Sequence, residues 1–237
     1  MKYFSNFNTV EYDMFGDGKT RQVTDLFRRV KINPLFLDDI TFYTYFTIPN
    51  GERPDTVSYM LYKKIDYHWT FPLLNPWLLD MRQDWPMNTI EMEHYIEEKY
   101  PNTALIINDL TLASKFIIGE TIQGLVSGAI GTIISKDVNL NEMIISVSSG
   151  DFSNGELVYG QTSNDYITIV SARSHTNAIH HYALGDGTIV DRFAVGALPV
   201  TNAEYEIEEN ERRTRIKVIR PELIQLVSKK FMDTIKA

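Results

Sequence analysis

A stretch of twenty residues occurs twice in this chain, 36 positions apart, and it limits what the middle of the sequence can fold into. Residues 116–135 and 152–171 agree at eight positions: Phe116/Phe152, Gly119/Gly155, Glu120/Glu156, Gly124/Gly160, Ser127/Ser163, Thr132/Thr168, Ile133/Ile169 and Ser135/Ser171. Glycines and a glutamate repeating in register mark a structural unit copied along the chain. Each copy reads as a turn at its first glycine, a short strand, a second turn and a second strand. Such a unit stacks with its copy into a small barrel or sandwich. The glycines are expected where the chain takes positive φ. The whole stretch 105–200 is rich in strand formers, and Gly185-Asp186-Gly187 between two apolar runs is a hairpin signal.

The first third has a different character. Residues 3–12 carry Tyr3, Phe4, Phe7, Val10 and Tyr12 with no sustained period, followed by Gly16-Asp17-Gly18. This reads as an arm that docks its aromatics, on its own domain or on a neighbour. Thr24 is the predicted cap of a short helix ending before Pro34. The Thr, Phe and Tyr run between Thr41 and Ile48 predicts a strand. Pro54 suits the first position of a helix whose inner face is Val57, Met60 and Leu61. A second short helix begins near Asp66 and should kink or stop at Pro72, which has no N–H to donate. A third runs from about Asn88 to Tyr100 on a stripe of Met92, Tyr95, Ile96 and Tyr100. Toward the C-terminus five glutamates, the first Glu204 and the last Glu211, precede five basic residues, the first Arg212 and the last Arg220. Residues 214–219 predict a strand solvated on one face, and Pro221 opens a terminal helix.

Composition narrows the function. With 237 residues, 43% of them hydrophobic, the chain can bury a core, and its net charge of −8 argues against a grip on a phosphate backbone. The absence of cysteine excludes disulfides, thiolate metal sites and a cysteine nucleophile. The N-terminus does not read as a secretory signal, and no window approaches a membrane-spanning apolar run, so the chain reads as made and folded in a cytoplasm. No zincin, nucleophile-elbow, phosphate-loop or dinucleotide pattern occurs. His180 and His181, adjacent on a strand, should point to opposite faces, which with His175 nearby leaves a poor metal site. Asp186 and Asp191 lack the oxygen series of a calcium loop. Glu120 and Glu156 occupy equivalent places in the repeats. A hydrolase hidden in the β-module would need them paired; solvent-facing turn residues are the expectation. No catalytic, cofactor-binding or metal residue is named.

The segment Gly51-Glu52-Arg53-Pro54-Asp55-Thr56-Val57-Ser58-Tyr59-Met60-Leu61-Tyr62, with Asp66-Tyr67-His68-Trp69-Thr70-Phe71 and Leu73-Leu74-Asn75, is similar to the central motif of the base plate wedge protein 53 family of contractile-tailed bacteriophages. Tyr3-Phe4, Val10-Glu11-Tyr12 and the run from Val23 to Arg29 resemble that family's N-terminal arm. Ile216-Lys217-Val218-Ile219-Arg220-Pro221-Glu222-Leu223 resembles its closing strand and helix. The resemblance covers roughly residues 1–104 and 175–237. It implies a structural protein, not an enzyme and without cofactors, sitting in the virion's tail baseplate after assembly in the host cytoplasm. The implied partners are other wedge proteins, the sheath-initiating subunit and the adjacent wedge, in multiple copies per virion, with no nucleic acid and no membrane.

The central segment also resembles a LysM-type module, in which a strand, a Gly-Asp/Glu turn, two short helices and a terminal Asn recur. Its second strand is missing locally and is expected from residues 214–219. Trp69, Phe71, Leu73 and Leu74 make the second helix apolar, which suits a protein partner better than a sugar groove. A peptidoglycan-binding module of a cell-wall-targeting protein is the alternative. The expected fold is therefore α+β, a LysM-like helix/strand body with an inserted small all-β barrel or sandwich. Its expected divisions are a docking arm over 1–35, the LysM-like segment with its following helix over 36–104, the β-module over 105–200, and a C-terminal strand and helix over 201–237. Tyr3, Phe4, Phe7, Tyr12, Tyr67 and Trp69 are the candidate interface anchors, because aromatics dominate interface energetics.

Overall fold

The computed structural model describes residues 7–25 and 40–236. In chain order its elements are β1 (Thr9–Tyr12), β2 (Arg21–Thr24), β3 (Tyr43–Thr47), α1 (Pro54–Tyr62), α2 (Phe71–Leu74), α3 (Thr89–Lys99), β4 (Thr103–Ile107), β5 (Thr121–Gly124), β6 (Ile130–Asp137), β7 (Glu142–Ser149), β8 (Leu157–Gly160), β9 (Tyr166–Ser174), β10 (Ile179–Ala183), β11 (Ile189–Val190), β12 (Leu198–Thr201), α4 (Asn202–Thr214), β13 (Arg215–Ile219) and α5 (Ile224–Lys236). This is a mixed helix and strand fold. It divides into two compact units, residues 1–89 with 210–237, and residues 90–209. The helix expected after Thr24 falls mainly on residues outside the described ones; Thr24 itself ends β2.

In the first unit β3 pairs antiparallel with β13, Tyr43 opposite Ile219 and Thr47 opposite Arg215. The strand expected from residues 214–219 thus returns to the segment that lacks one. Between the two strands run α1, a 3-10 stretch Ile65–Thr70 and α2. Tyr43, Val57, Phe71, Leu74, Trp85, Ile216 and Val218 share one core. Two polar side chains fix the returning strand. Asn75 donates to the carbonyls of Phe71 and Lys217 at 2.8 Å each and accepts from the Lys217 N–H at 2.9 Å. The Tyr62 hydroxyl donates to the Ile219 carbonyl at 2.9 Å.

Two expectations for this unit are corrected. The inner face of α1 is Val57, Ser58 and Tyr62, while Met60 is exposed. Ser58 can face the core because its hydroxyl donates to the Lys64 carbonyl at 2.7 Å and accepts from the Tyr67 N–H at 3.2 Å, so its burial leaves no unpaired group. The helix expected from near Asp66 is two pieces rather than one: the 3-10 stretch ends at Thr70, and Pro72 lies in the first turn of α2, where a missing N–H costs nothing.

The second unit contains a closed barrel of six antiparallel strands in the order β4-β7-β6-β5-β8-β9. The repeat supplies a pseudo-twofold axis. Gln123 pairs with Tyr159, its own equivalent 36 residues on, at the centre of the β5–β8 contact. Across the barrel the same axis passes through Leu105 and Met143, paired between β4 and β7. β4 therefore takes the part in the second half that β7 takes in the first. The registers agree in detail: Ile133 opposite Ile145 and Ser135 opposite Ile144, with Ile134 bulged, are matched by Ile169 opposite Ile107 and Ser171 opposite Ile106, with Val170 bulged. The interior is correspondingly paired, with Phe116 and Phe152, Ile122 and Val158, Ile133 and Ile169, and Ile107 and Ile145 buried in one cluster. Each such side chain contributes about 1.5–3 kcal/mol relative to exposure.

Outside the barrel, β10 lies between β11 and β12 in a small antiparallel sheet. The acidic run that starts at Glu204 is helical, so the strand is confined to Arg215–Ile219. Glutamate and arginine have good helix propensity, and Thr201, accepting from the Glu204 N–H while Glu204 reaches back to the Thr201 N–H at 2.8 Å, forms a capping box at the start of α4.

Candidate functional site

The two repeat glutamates are buried, Glu120 to 5% and Glu156 to 3% exposure, which overturns the expectation of solvent-facing turn residues. Nor do they form a carboxylate pair, since each reaches into the other repeat. Glu156 accepts from the N–H groups of Val126 at 3.1 Å, Ser127 at 3.0 Å and Ser153 at 2.6 Å, and from the Ser127 hydroxyl. Glu120 accepts from Thr162 at 3.1 Å, Ser163 at 3.0 Å and Ile117 at 2.6 Å, and from the Ser163 hydroxyl. The serines in turn accept from the N–H groups of Ala129 and Asp165. Burial works against the charge, yet these donors outweigh it and hold both carboxyls below their ordinary pKa. A carboxylate so filled with donors holds loops; it is badly placed to exchange protons with a substrate.

The repeat glycines divide into two kinds. Gly119 and Gly155 take positive φ, as expected. Gly124 and Gly160 do not, and their requirement is space. A Cβ on Gly124 would lie 2.5 Å from Ser127 Oγ and 2.6 Å from Glu156 Oε2, and one on Gly160 would lie 2.6 Å from Ser163 Oγ and 2.9 Å from Glu120 Oε2. The eight identities are thus largely one device written twice: glutamate, a glycine that clears it, and a serine that meets it.

His180 and His181 do not point to opposite faces. The strand register shifts between Ile179 and His181, and this irregularity turns the rings together, with their Nδ1 atoms 2.8 Å apart. His180 also stacks on Tyr205 at 3.8 Å, while His175 packs edge-on against Tyr100. Among the described residues no group of three histidine, aspartate or glutamate side chains is arranged to hold a metal ion. The neighbouring Glu206 is buried and accepts from Lys99 and from the Tyr100 hydroxyl, both at 2.7 Å. Burial and that carboxylate push the Tyr100 hydroxyl up to about 12. This network ties α3 to α4 and was not visible in the sequence, where Glu206 is one of five glutamates in a run.

The candidate anchors lie in different surroundings. Tyr3 and Phe4 fall outside the described residues. Phe7, Trp69 and Leu73 pack against Phe231 of α5, with the Trp69 and Phe231 rings 4.4 Å apart. Tyr67 packs on the first core, edge-on to Tyr62. Tyr12 is half exposed on the β1–β2 hairpin. In that hairpin Val10 opposes Val23 and Tyr12 opposes Arg21, while Glu11 opposes Gln22 and Thr9 opposes Thr24. One face is therefore apolar and the other polar. Met14 and Phe15 extend the apolar side at the tip, where the Arg21 guanidinium lies 4.6 Å over the Phe15 ring.

A second feature, not singled out from the sequence, is the side of β3 and β13 that runs from buried to exposed: Lys217 lies 4.5 Å over the ring of Tyr43, which is buried in the core, and Arg215 lies 4.4 Å over the ring of Tyr45, which is half exposed, the two tyrosines meeting edge to face. The signal available was the alternation Tyr43-Thr44-Tyr45 against Arg215-Ile216-Lys217, legible only once the two strands are known to pair.

No family model matches this chain, and no curated protein matches it either. Among the described residues no helix is long and apolar enough to cross a membrane.

Proposed function

We propose that this chain is a structural subunit of the baseplate wedge of a contractile phage tail, a member of the base plate wedge protein 53 type, with a LysM-like body that has been given over to protein binding. The observation that carries the reading is the convergence of the segments on which the resemblance rests. Residues 51–62, 66–75 and 216–223, distant in sequence, contribute to one core, and Asn75 at the end of the central motif bonds the returning strand. A strand, two short helices and a returning strand are the parts a LysM-like module requires.

The exposed apolar side chains support an assembly role rather than a catalytic one. Tyr12, Met14 and Phe15 crowd one small hairpin, and an isolated two-stranded hairpin is marginal in water unless something covers its apolar face. The partners are other wedge proteins, the sheath-initiating subunit and the adjacent wedge, and the site of action is the virion's tail baseplate. Trp69 and Leu73, apolar and packed on Phe231, offer no open sugar groove on that side of the body. Co-expression with the neighbouring tail genes followed by size-exclusion chromatography tests the proposal. Co-migration with a wedge or sheath-initiating protein is expected, and its consistent absence sinks the reading. Sedimentation with purified peptidoglycan at physiological salt should leave the protein in the supernatant; retention on cell wall favours the glycan-binding alternative.

A further inference from the structure

β3 and β13 form a sheet of only two strands, which leaves each with one edge that no strand covers. The two edges are treated differently. The Phe42 carbonyl accepts from the Arg220 N–H and the Ile48 N–H donates to the Thr214 carbonyl, so the even-numbered residues of β3 face β13 and the odd-numbered ones turn their N–H and C=O groups away from it. On β13 the outward groups are closed off by side chains: Asn75 meets the N–H and carbonyl of Lys217, and the Tyr62 hydroxyl meets the carbonyl of Ile219. On β3 the outward residues are Tyr43, Tyr45 and Thr47. Tyr43 is buried, but Tyr45 and Thr47 are exposed, and among the described residues no group bonds their N–H or C=O. Exposed edges are ordinarily blunted by a charge, a proline or a bulge. Residues 40–48 contain no charge and no proline, are built of Ile, Thr, Phe and Tyr, and keep an unbroken register with β13 over Tyr43–Thr47.

We propose that this open edge pairs with the same edge of a second copy, antiparallel about a twofold axis at Phe46, giving one continuous sheet across both copies. Parity and exposure set the register. Tyr45 and Thr47 of each copy exchange N–H···O=C bonds with Thr47 and Tyr45 of the other, while Phe46 lies opposite its counterpart. Centring on Tyr45 instead would call on the buried Tyr43. Pro49, which has no N–H, ends the ladder. Charge selects the occupant. A twofold brings each side chain of the strand close to its own kind, so a charged residue would be repelled by itself, whereas a strand serving a different protein would gain selectivity from charges. β3 carries none. The contact is isologous and uses up the open edge of each copy, so assembly stops at the dimer. One short strand pair lies at the small end of protein interfaces, below about 1,200 Å², where association is weak, on the order of 0.1 mM. The inference goes beyond the wedge assignment and does not depend on it.

Sedimentation velocity from about 10 μM to about 1 mM tests the inference, and the wild-type chain should shift from monomer to dimer and go no further. Thr47→Pro removes an N–H that no described group of its own chain uses, so it should weaken dimerisation about tenfold or more and leave the tryptophan fluorescence of the first unit native. If the proline prevents folding, Thr47→Lys and Thr47→Glu are read instead. Each alone should weaken dimerisation severalfold, because the two substituted side chains lie diagonally across the joint, and an equal mixture should restore it. In a chain without cysteine, Phe46→Cys should cross-link between copies when oxidised glutathione accepts the electrons, and Thr44→Cys should not, since Thr44 lies far from its counterpart. A wild-type chain that stays monomeric to about 1 mM overturns the inference, as does growth beyond the dimer, a folded Thr47→Pro chain that dimerises like wild type, or cross-linking at Thr44 in place of Phe46. Binding to a neighbouring tail protein that is lost in Thr47→Pro, without self-association, would assign the edge to a strand of that protein instead.

Discussion

The barrel closes among strands drawn from residues 103–174, and almost every contact that closes it occurs twice. The core of the first unit closes between β3 and β13, from near opposite ends of the described chain, and its fastenings at Asn75 and Tyr62 occur once. Duplication within a short stretch gives a module whose parts are near one another before folding, so little loop-closure entropy opposes it. A single long-range pairing has no such advantage and depends on a few polar side chains to set its register. The two units should therefore respond differently to the loss of one hydrogen-bonding residue. They can be followed separately, because Trp69, Trp77 and Trp85 all lie in the first unit.

The largest effect is expected at the glutamate clamps. Glu156→Ala leaves three N–H groups and a hydroxyl without their acceptor and should cost about 4 kcal/mol. Glu120→Ala should cost the same within error. Both losses should appear in the far-ultraviolet circular dichroism of the barrel and not in the tryptophan transition. Unequal costs would mean that the twofold seen in the registers does not extend to the energetics. Because both carboxyls are held below their ordinary pKa, the stability they supply is complete above the range of an unfolded glutamate and is lost as pH falls through their lowered values. The Glu→Gln variants should flatten that acid limb.

Asn75→Ala comes next. It removes two hydrogen bonds to Lys217 of β13 and one to Phe71 of α2 and should cost about 3 kcal/mol, shifting the tryptophan transition and leaving the barrel unchanged. An equal shift in both transitions would show that the units unfold as one.

Glu142 provides a contrast of sign on the outer side of the barrel wall, where it accepts from the Ile179 N–H of β10. It is buried and is pushed up to about 7 by that burial, against the opposing Ile179 N–H and the Arg173 charge. The folded chain then holds a proton that the unfolded chain releases near pH 4.5, so barrel stability should fall as pH rises from about 4.5 to 7. Glu142→Gln should remove this slope, a gain on the order of 1–3 kcal/mol at neutral pH, measured by urea titration at several pH values. The smallest effect is expected for Ser127→Ala and Ser163→Ala, about 1 kcal/mol each, since backbone donors keep the glutamates occupied.

Much of this could be read from the residues. The repeat located β5, β6, β8 and β9 and the turns between them, and Pro54 opens α1 as expected, whereas the terminal helix starts at Ile224, after a turn that follows Pro221. β4 was not recognisable as the fourth member of a duplicated pair. Its likeness to β7 is three apolar residues, Leu105-Ile106-Ile107 against Met143-Ile144-Ile145, too short to stand out from any buried strand. Ser58 and Tyr62 were missed on α1 because a hydrophobic pattern assigns polar groups to solvent, whereas here each finds a carbonyl acceptor. Of the anchors, Tyr12 was visible in the aromatic run of the arm, while Met14 and Phe15 beside it on the hairpin were not singled out. The face of β3 and β13 was not, because its tyrosines and cations lie in separate thirds of the sequence.

The sequence by itself determined the local parts: where the chain turns, which runs extend or coil, and that one unit is written twice, because φ preference, capping and propensity act over a few residues. Only the tertiary structure decided what a charge or a strand edge would meet. Glu120 and Glu156 read as surface residues until the opposite repeat brings its donors to them, and β3 is an unpaired edge until β13 arrives. Desolvation and pairing depend on groups distant along the chain, and the energy of a buried carboxylate changes sign with whether those groups are present.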